Sequence, residues 1–316
     1  MTMEERCPHP LSGGARKKQG GIYDQASTPN RPTDPMRRSV LRAMAALGIT
    51  AAVMASLAGS ASAGALLDRI KNGGPIRIGF STDTAWSFRG ENNEMLGIGN
   101  MLVMELLKKL GATKFEPVDM EWGSLIPAMQ GGRIDVITSA MFVLPQRCRN
   151  VIFTNPFGTV YGGLVVPKGN PKEVHSLPDI RDKGLTFVTG AGYADVKRAQ
   201  DTGIPDDKIM QVAGYVEIAQ AVKSGRADAG GGEYLGIKGA IRNDDSLELA
   251  NPFKPNYKPG YPAFAFPQGE QDTVDAINEV MKDYIGSDEM MSLVSKYGYD
   301  KSLLPDGSKT ADLCKS

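Results

Sequence analysis

The sequence predicts a two-lobed α/β protein, and three observations carry that prediction. Apolar, β-branched runs alternate with amphipathic runs at the spacing of strand–helix–strand units. Two similar segments, GRIDVITSAMF from Gly132 and GRADAGGGEYL from Gly225, each follow a helix-like run and open a new strand. Two extended, proline-flanked stretches, residues 153–171 and 249–269, are placed to carry the chain from one lobe to the other and back.

The elements follow in order. PIRIGFS (75–81), apolar and led by Pro75, reads as a buried strand. GNMLVMELLKKLG (99–111) puts apolar residues at 101, 102, 103, 106, 107 and 110, a broad helical face closed by Gly111. KFEPVDM is a second strand, Ser124 is placed to cap the helix LIPAMQGG, and IDVITSAM is a third strand. The second half repeats the plan: LTFVTG strand, YADVKRAQDTG helix, KIMQVA strand, VEIAQAVKSG helix, and ADAGGGEYLG a strand leading into a loop. In both Gly-Arg-x-Asp copies the glycine ends a helix at positive φ, and Arg and Asp fall in the turn to the strand. A common helix-to-strand turn explains those four residues alone, but not the matching order of elements around them. If the chain crosses twice, residues 64–155 with 260–316 form one lobe and 165–250 the other. Residues 156–164 and 251–259 are then a two-strand hinge, and the cleft lies at strand C-termini, where α/β sheets bind ligands.

Composition narrows the function. The chain has 316 residues, 41% hydrophobic and 23% charged, with a formal net charge of zero. That suits a soluble protein with two modest cores, and without a basic block beyond the N-terminal region it lacks the footprint that nucleic acid requires. The N-terminus reads as a leader. MRRSVLRAMAALGITAAVMASLAGSASAGALL supplies a basic start, an apolar run near residues 43–59, and Ala61-Ser62-Ala63 before Gly64. This is the three-part grammar of a secretory signal, so residues 1–63 are expected to be cleaved and the mature protein to be periplasmic. The run is short and Ala/Gly-rich for a membrane anchor. RRSVLR resembles a twin-arginine signal, which leaves two export routes open, and both Met1 and Met36 are candidate starts. Cys7 leaves with the leader, so Cys148 and Cys314 remain as an even pair expected to bond after export, the alternative being two unpaired thiols. The mature chain keeps one histidine, His175, in a loop. Ser-His-Asp, Cys-His and His-metal machinery therefore lack parts, and no cofactor or metal is expected.

Several stretches carry a family resemblance: RIGFS, GSLIPAMQGGRIDVITSAMFVLPQRC, VVPKGNP and VKSGRADAG. Across nearly all of the mature chain they resemble the solute-binding proteins of polar amino acid ABC importers (family 3). WGSLIPAMQGGRIDVITSAMFVLPQRC and the tail KTADLC are similar to the ectoine- and hydroxyectoine-binding branch, which shares a Cys after the site arginine and another near the C-terminus. The resemblance implies a type II periplasmic binding protein that closes two lobes on a small zwitterion. Its partner would be a membrane permease, and it would act as a monomer without enzymatic activity. A periplasmic dehydratase of the cyclohexadienyl type, on the same scaffold, is the second reading.

The resemblance also assigns residues. Arg147, one short turn beyond its strand, would fork onto the ligand carboxylate, although the turn reads LPQR with Leu144 where the family has a hydroxyl residue. Asp83, Trp86, Trp122 and Phe142 fall where the ectoine binders place an acid and aromatics, whose faces hold a delocalised cation. Glu233 takes the register of the acid that binds an amino group, a bland surface Glu being the other reading. Gly190 and Tyr193 lie in TGAGYADV, the loop that closes on the ligand; the ectoine branch has an acid near Tyr193, which this loop is read as lacking.

Overall fold

The computed structural model describes residues 64–82 and 85–315. All of them lie in one unit, Ser60–Ser316. The expected leader, with its cleavage site, its arginine pair and Cys7, lies outside the described residues, as does Asp83.

Helix α1 (Ala65–Lys71) leads into β1 (Pro75–Phe80), the short pair β2 (Phe88–Arg89) and β3 (Met95–Leu96), and α2 (Ile98–Lys109). Then come β4 (Lys114–Asp119), a 3-10 turn at Trp122–Ser124, α3 (Leu125–Gln130), β5 (Val136–Phe142), α4 (Pro145–Cys148) and β6 (Ile152–Phe153). The next stretch holds β7 (Gly162–Pro167), α5 (Leu177–Asp182), β8 (Phe187–Gly190), α6 (Ala194–Thr202) and β9 (Ile209–Val212). It continues through α7 (Tyr215–Lys223), β10 (Ala229–Glu233), α8 (Tyr234–Ala240) and β11 (Leu247–Leu249). The chain ends with β12 (Pro262–Phe266), α9 (Gln271–Tyr284), α10 (Asp288–Val294) and α11 (Thr310–Leu313).

Two five-stranded sheets result, ordered β4-β1-β5-β12-β6 and β11-β7-β10-β8-β9. Read from its other edge, the second is β9-β8-β10-β7-β11, and its pairing repeats the first: three parallel strands, then two antiparallel neighbours. The antiparallel member comes from opposite ends of the halves, β12 in the first lobe and β7 in the second.

Packing explains why these runs fold as they do. The 3.6-residue period of α2 turns Leu102, Val103, Leu106 and Leu107 inward, each fully buried. Burial of side chains of this size contributes roughly 1.5–3 kcal/mol each. The helix stops where Gly111, at φ 102°, takes the left-handed conformation that a side chain resists. Ser124 sits at the N-cap of α3 but its hydroxyl makes no capping bond, because the preceding 3-10 turn gives it helical backbone angles, φ −89° and ψ −11°. The expected loop after β10 is instead α8, nucleated by Glu233, whose carboxylate accepts from the Leu235 and Gly236 amides. The stretch expected as the first crossing, 156–164, gives its last three residues to β7. Val160 and Gly260 join the two crossings through a reciprocal pair of backbone bonds of 2.9 and 2.7 Å.

Candidate functional site

Each Gly-Arg-x-Asp turn anchors a strand. The Asp135 amide donates to the Arg77 carbonyl at 2.8 Å, and its carboxylate accepts the Arg77 amide at 2.8 Å. The second turn repeats this on a parallel neighbour: the Asp228 amide donates to the Thr186 carbonyl at 2.9 Å and its carboxylate accepts the Thr186 amide at 2.7 Å. β5 and β10 are thereby set in the same relation to the strand beside them. Their C-terminal ends meet at a small cavity, with room of about 30 Å³.

From the first lobe β5 supplies Ser139, Ala140 and Phe142 to this cavity. Beyond β5 the chain turns through Leu144, extended at φ −138° and ψ 143°, into α4 with Pro145 at its first position. Arg147 then points inward and is only 7% exposed. Its guanidinium donates to the Phe142 carbonyl and to the Gly192 carbonyl, both at 3.0 Å, and lies 4.6 Å above the Trp122 ring. Burial lowers its pKa to about 9, the Arg198 charge acting in the same direction and Asp195 against it. Among the described residues no carboxylate lies within ion-pair distance of Arg147.

The second lobe supplies Glu233, at the end of β10 and 5% exposed. Its carboxylate accepts from the Trp86 indole at 2.7 Å, the Leu235 amide at 2.8 Å and the Gly236 amide at 2.9 Å. Burial raises its pKa to about 7, since these three bonds only partly offset desolvation and Asp195 adds repulsion. Among the described residues, the Trp86–Glu233 and Arg147–Gly192 bonds join the lobes across the cavity.

The aromatic wall is larger than expected. Tyr193 lies 5.7 Å from Trp122 and 5.2 Å from Tyr215, ring centre to ring centre, and all three line the cavity. Glycines admit these rings: a β-carbon at Gly232 or Gly236 would come within 2.5 or 2.4 Å of Tyr215. Gly190 belongs to this supporting set. It does not line the cavity, and a β-carbon there would meet the Tyr193 ring at 2.6 Å. Phe142 rests likewise against Gly260 and is half-buried.

The closing loop does hold an acid. Asp195, in the first turn of α6, is 4% exposed, lines the cavity and pairs with Arg198 at 3.2 Å. Sequence reasoning missed Asp195 and Tyr215. The signals present were an acid two residues after Tyr193, and an aromatic at a helix start facing a glycine-rich strand. His175 lies elsewhere, its Nδ1 3.0 Å from the Pro252 carbonyl. Among the described residues no three His, Cys, Asp or Glu side chains converge to hold a metal.

The Cys148–Cys314 disulfide is formed and spans 166 residues. It ties the tail to the turn that carries Arg147. The tail is further laced down by Thr310, whose hydroxyl donates to the Thr154 carbonyl at 2.6 Å. No helix among the described residues is long and apolar enough to cross a membrane.

Comparisons with known proteins agree with this arrangement. A model of the bacterial extracellular solute-binding proteins, family 3, matches residues 76–300. A probable amino-acid ABC transporter periplasmic-binding protein, y4tE of Sinorhizobium fredii, is 29% identical over 281 residues, covering 85% of this chain and 92% of the relative. The L-cystine-binding protein TcyJ of Escherichia coli K12 is 22% identical over 240 residues, covering 73% and 85%. Among solved structures, EhuB in complex with hydroxyectoine superposes with a TM-score of 0.72 at 24% identity, covering 78% of this chain and 97% of that one. The P235GK mutant of ArgBP from T. maritima gives 0.64 at 23% identity, covering 74% and 99%. These likenesses establish the two-lobed fold of type II binding proteins. The family match spans residues 76–300, most of the described chain: the chain belongs to the bacterial extracellular solute-binding proteins, family 3.

Proposed function

We propose that this protein is exported to the periplasm, by the general or the twin-arginine route, and there captures a small zwitterionic solute for the permease of an ABC importer. It works as a monomer and binds no nucleic acid. The observation that carries the reading is Arg147, a buried guanidinium with no carboxylate partner among the described residues, set against an aromatic wall. A buried cation is costly alone, and a ligand carboxylate arriving in its fork removes that cost. The cationic end of the ligand meets Tyr193, Tyr215, Phe142 and the two tryptophans, with Asp195 and Glu233 behind them. Glu233 already accepts three hydrogen bonds, so it offers little to an ammonium with three donors to satisfy. A ring-embedded, delocalised cation suits aromatic faces better, which favours ectoine or hydroxyectoine over an α-amino acid.

A thermal-shift panel of the mature protein tests this, because a ligand that binds only the folded state raises the melting temperature with occupancy. Ectoine or hydroxyectoine should give the largest shift, with L-arginine, L-glutamine and glycine betaine behind. No shift with any zwitterion, together with turnover of prephenate or arogenate, overturns the reading in favour of a dehydratase.

A further inference from the structure

Arg198 stands one helical turn beyond Asp195 on α6, and its surroundings exceed what a surface ion pair needs. Its side chain is 14% exposed and that of Asp195 is 6% exposed, with 3.2 Å between them. The guanidinium lies 4.0 Å above the Tyr257 ring and 5.7 Å from the Phe142 ring. It also donates to the Lys258 carbonyl at 3.4 Å. Four segments therefore converge on one cation: α6, the returning crossing at Tyr257 and Lys258, the end of β5 at Phe142, and, behind Tyr257, the outgoing chain. At that last point Gly162 leaves room for the Tyr257 ring, since a β-carbon there would meet the phenol oxygen at 2.1 Å.

The charges show what this seat accomplishes. Asp195 acts on Arg147 as an attractive charge and Arg198 as a repulsive one, so the carboxylate has two guanidinium groups within electrostatic reach. Paired with Arg147, Asp195 would occupy the fork that the ligand carboxylate needs. Paired with Arg198, which the two rings hold flat, it cannot. We propose that Arg198 is a positioning residue for ligand capture: it holds Asp195 away from Arg147 and so keeps the buried guanidinium open to an incoming carboxylate. The inference rests on the reading of Arg147 as the anion receptor.

The test uses the full mature chain and whichever of ectoine, hydroxyectoine, L-arginine and L-glutamine the wild type binds. R198A should weaken binding by roughly tenfold to a hundredfold, the range for residues coupled through direct contact. R198K keeps a charge for Asp195 and should recover most of that loss. In a D195N background, where no anion competes for Arg147, R198A should cost almost nothing further. A lower melting temperature with unchanged affinity makes Arg198 a brace and overturns the proposal. So does equal loss in R198K and R198A, or additivity of R198A with D195N. A crystal structure of ligand-free R198A separates this proposal from the functional reading: Asp195 should move to within 4 Å of Arg147, and its staying in place overturns the proposal whatever the protein binds. Wild type that binds none of the four probes removes the ligand reading, while the position of Asp195 in that crystal still decides the role of Arg198.

Discussion

Aligning the two Gly-Arg-x-Asp turns makes the lobes comparable residue by residue. Asp135 matches Asp228 and Ser139 matches Gly232, and the next pair is Ala140 with Glu233. Up to that pair both copies do the same work, an Asp clamping the neighbouring parallel strand. From it onward they diverge. In the first lobe the backbone turns left-handed at Ala140, φ 52°, the register with β12 shifts, and the strand runs on to Phe142 and the Arg147 turn. In the second lobe the strand ends at Glu233, which caps α8 with its own carboxylate. One scaffold thus delivers a cation from one side and an acid from the other, and the difference is made within a single residue of the cavity.

The largest expected effect comes from what only the first lobe has. Removing the Cys148–Cys314 link, by reduction or by C148S with C314S, reopens a span of 166 residues. Chain entropy sets the cost at roughly 5 kcal/mol. Because Cys148 follows Arg147, ligand affinity should fall as well. Calorimetry with and without dithiothreitol reads the first effect and titration the second; unchanged melting would mean the Thr310 bond and the tail packing hold the C-terminus without covalent help.

Next, the two clamps should differ in strength. Asp135 accepts the Arg77 amide and both Arg69 and Arg77 side chains at 2.6 Å, and its own side chain is 6% exposed. Asp228 has the Thr186 amide and Lys172, and is 23% exposed. D135A should therefore cost about 3 kcal/mol and D228A about 1 kcal/mol in denaturant unfolding. Equal losses would show that the backbone bond, common to both turns, carries the whole contribution.

How far these features were legible in the sequence follows the same divide. Strand and helix positions were readable because burial imposes its period on α2 and α7, whereas Arg147 was assigned only through the family resemblance of its LPQR turn. Asp195 and Tyr215 were not readable: each opens a helix, and which way a first-turn side chain points depends on how the helix docks. Gly190, assigned to the ligand, does not line the cavity: a glycine at a strand end signals a close approach without saying what approaches, and here the Tyr193 ring does. The helix after GGGE was hidden because three glycines and an acid read as a turn until the carboxylate is seen folded back on the Leu235 and Gly236 amides.

Asp135 of the first lobe and Glu233 of the second also respond to pH with opposite sign. Burial alone would raise the pKa of Asp135, but the Arg77 and Arg69 bonds outweigh it and hold the carboxyl below its ordinary range. Its contribution is present above the unfolded pKa and is lost as pH falls through the folded one. Glu233 is raised from an ordinary 4.5 to about 7, so the folded state binds the extra proton between those values. Its contribution is complete below about 4.5 and lost as pH rises through 7. Relative to E233Q, wild type should lose roughly 3 kcal/mol of stability between pH 4.5 and pH 8. A pH-independent difference between the two proteins would mean that Glu233 keeps its charge throughout.

The smallest effect probes the residue where the lobes part. An alanine at φ 52° carries about 1–2 kcal/mol of steric strain that glycine does not. Replacing it removes that strain, but it adds about 0.5–1 kcal/mol of chain entropy and gives up a buried methyl worth about 0.8 kcal/mol. These terms nearly cancel, so A140G should leave stability within about 0.5 kcal/mol of wild type. Ala229, fully buried near the start of β10 and without positive φ, has no strain to relieve. A229G should therefore cost about 1.5 kcal/mol, the entropy and methyl contributions together. The pair of unfolding curves tests whether the backbone at Ala140 is held left-handed by its surroundings. If A140G is as damaging as A229G, the turn at Ala140 is not strained, and the divergence of the two lobes would have to originate later, in the Leu144–Pro145 turn that aims Arg147.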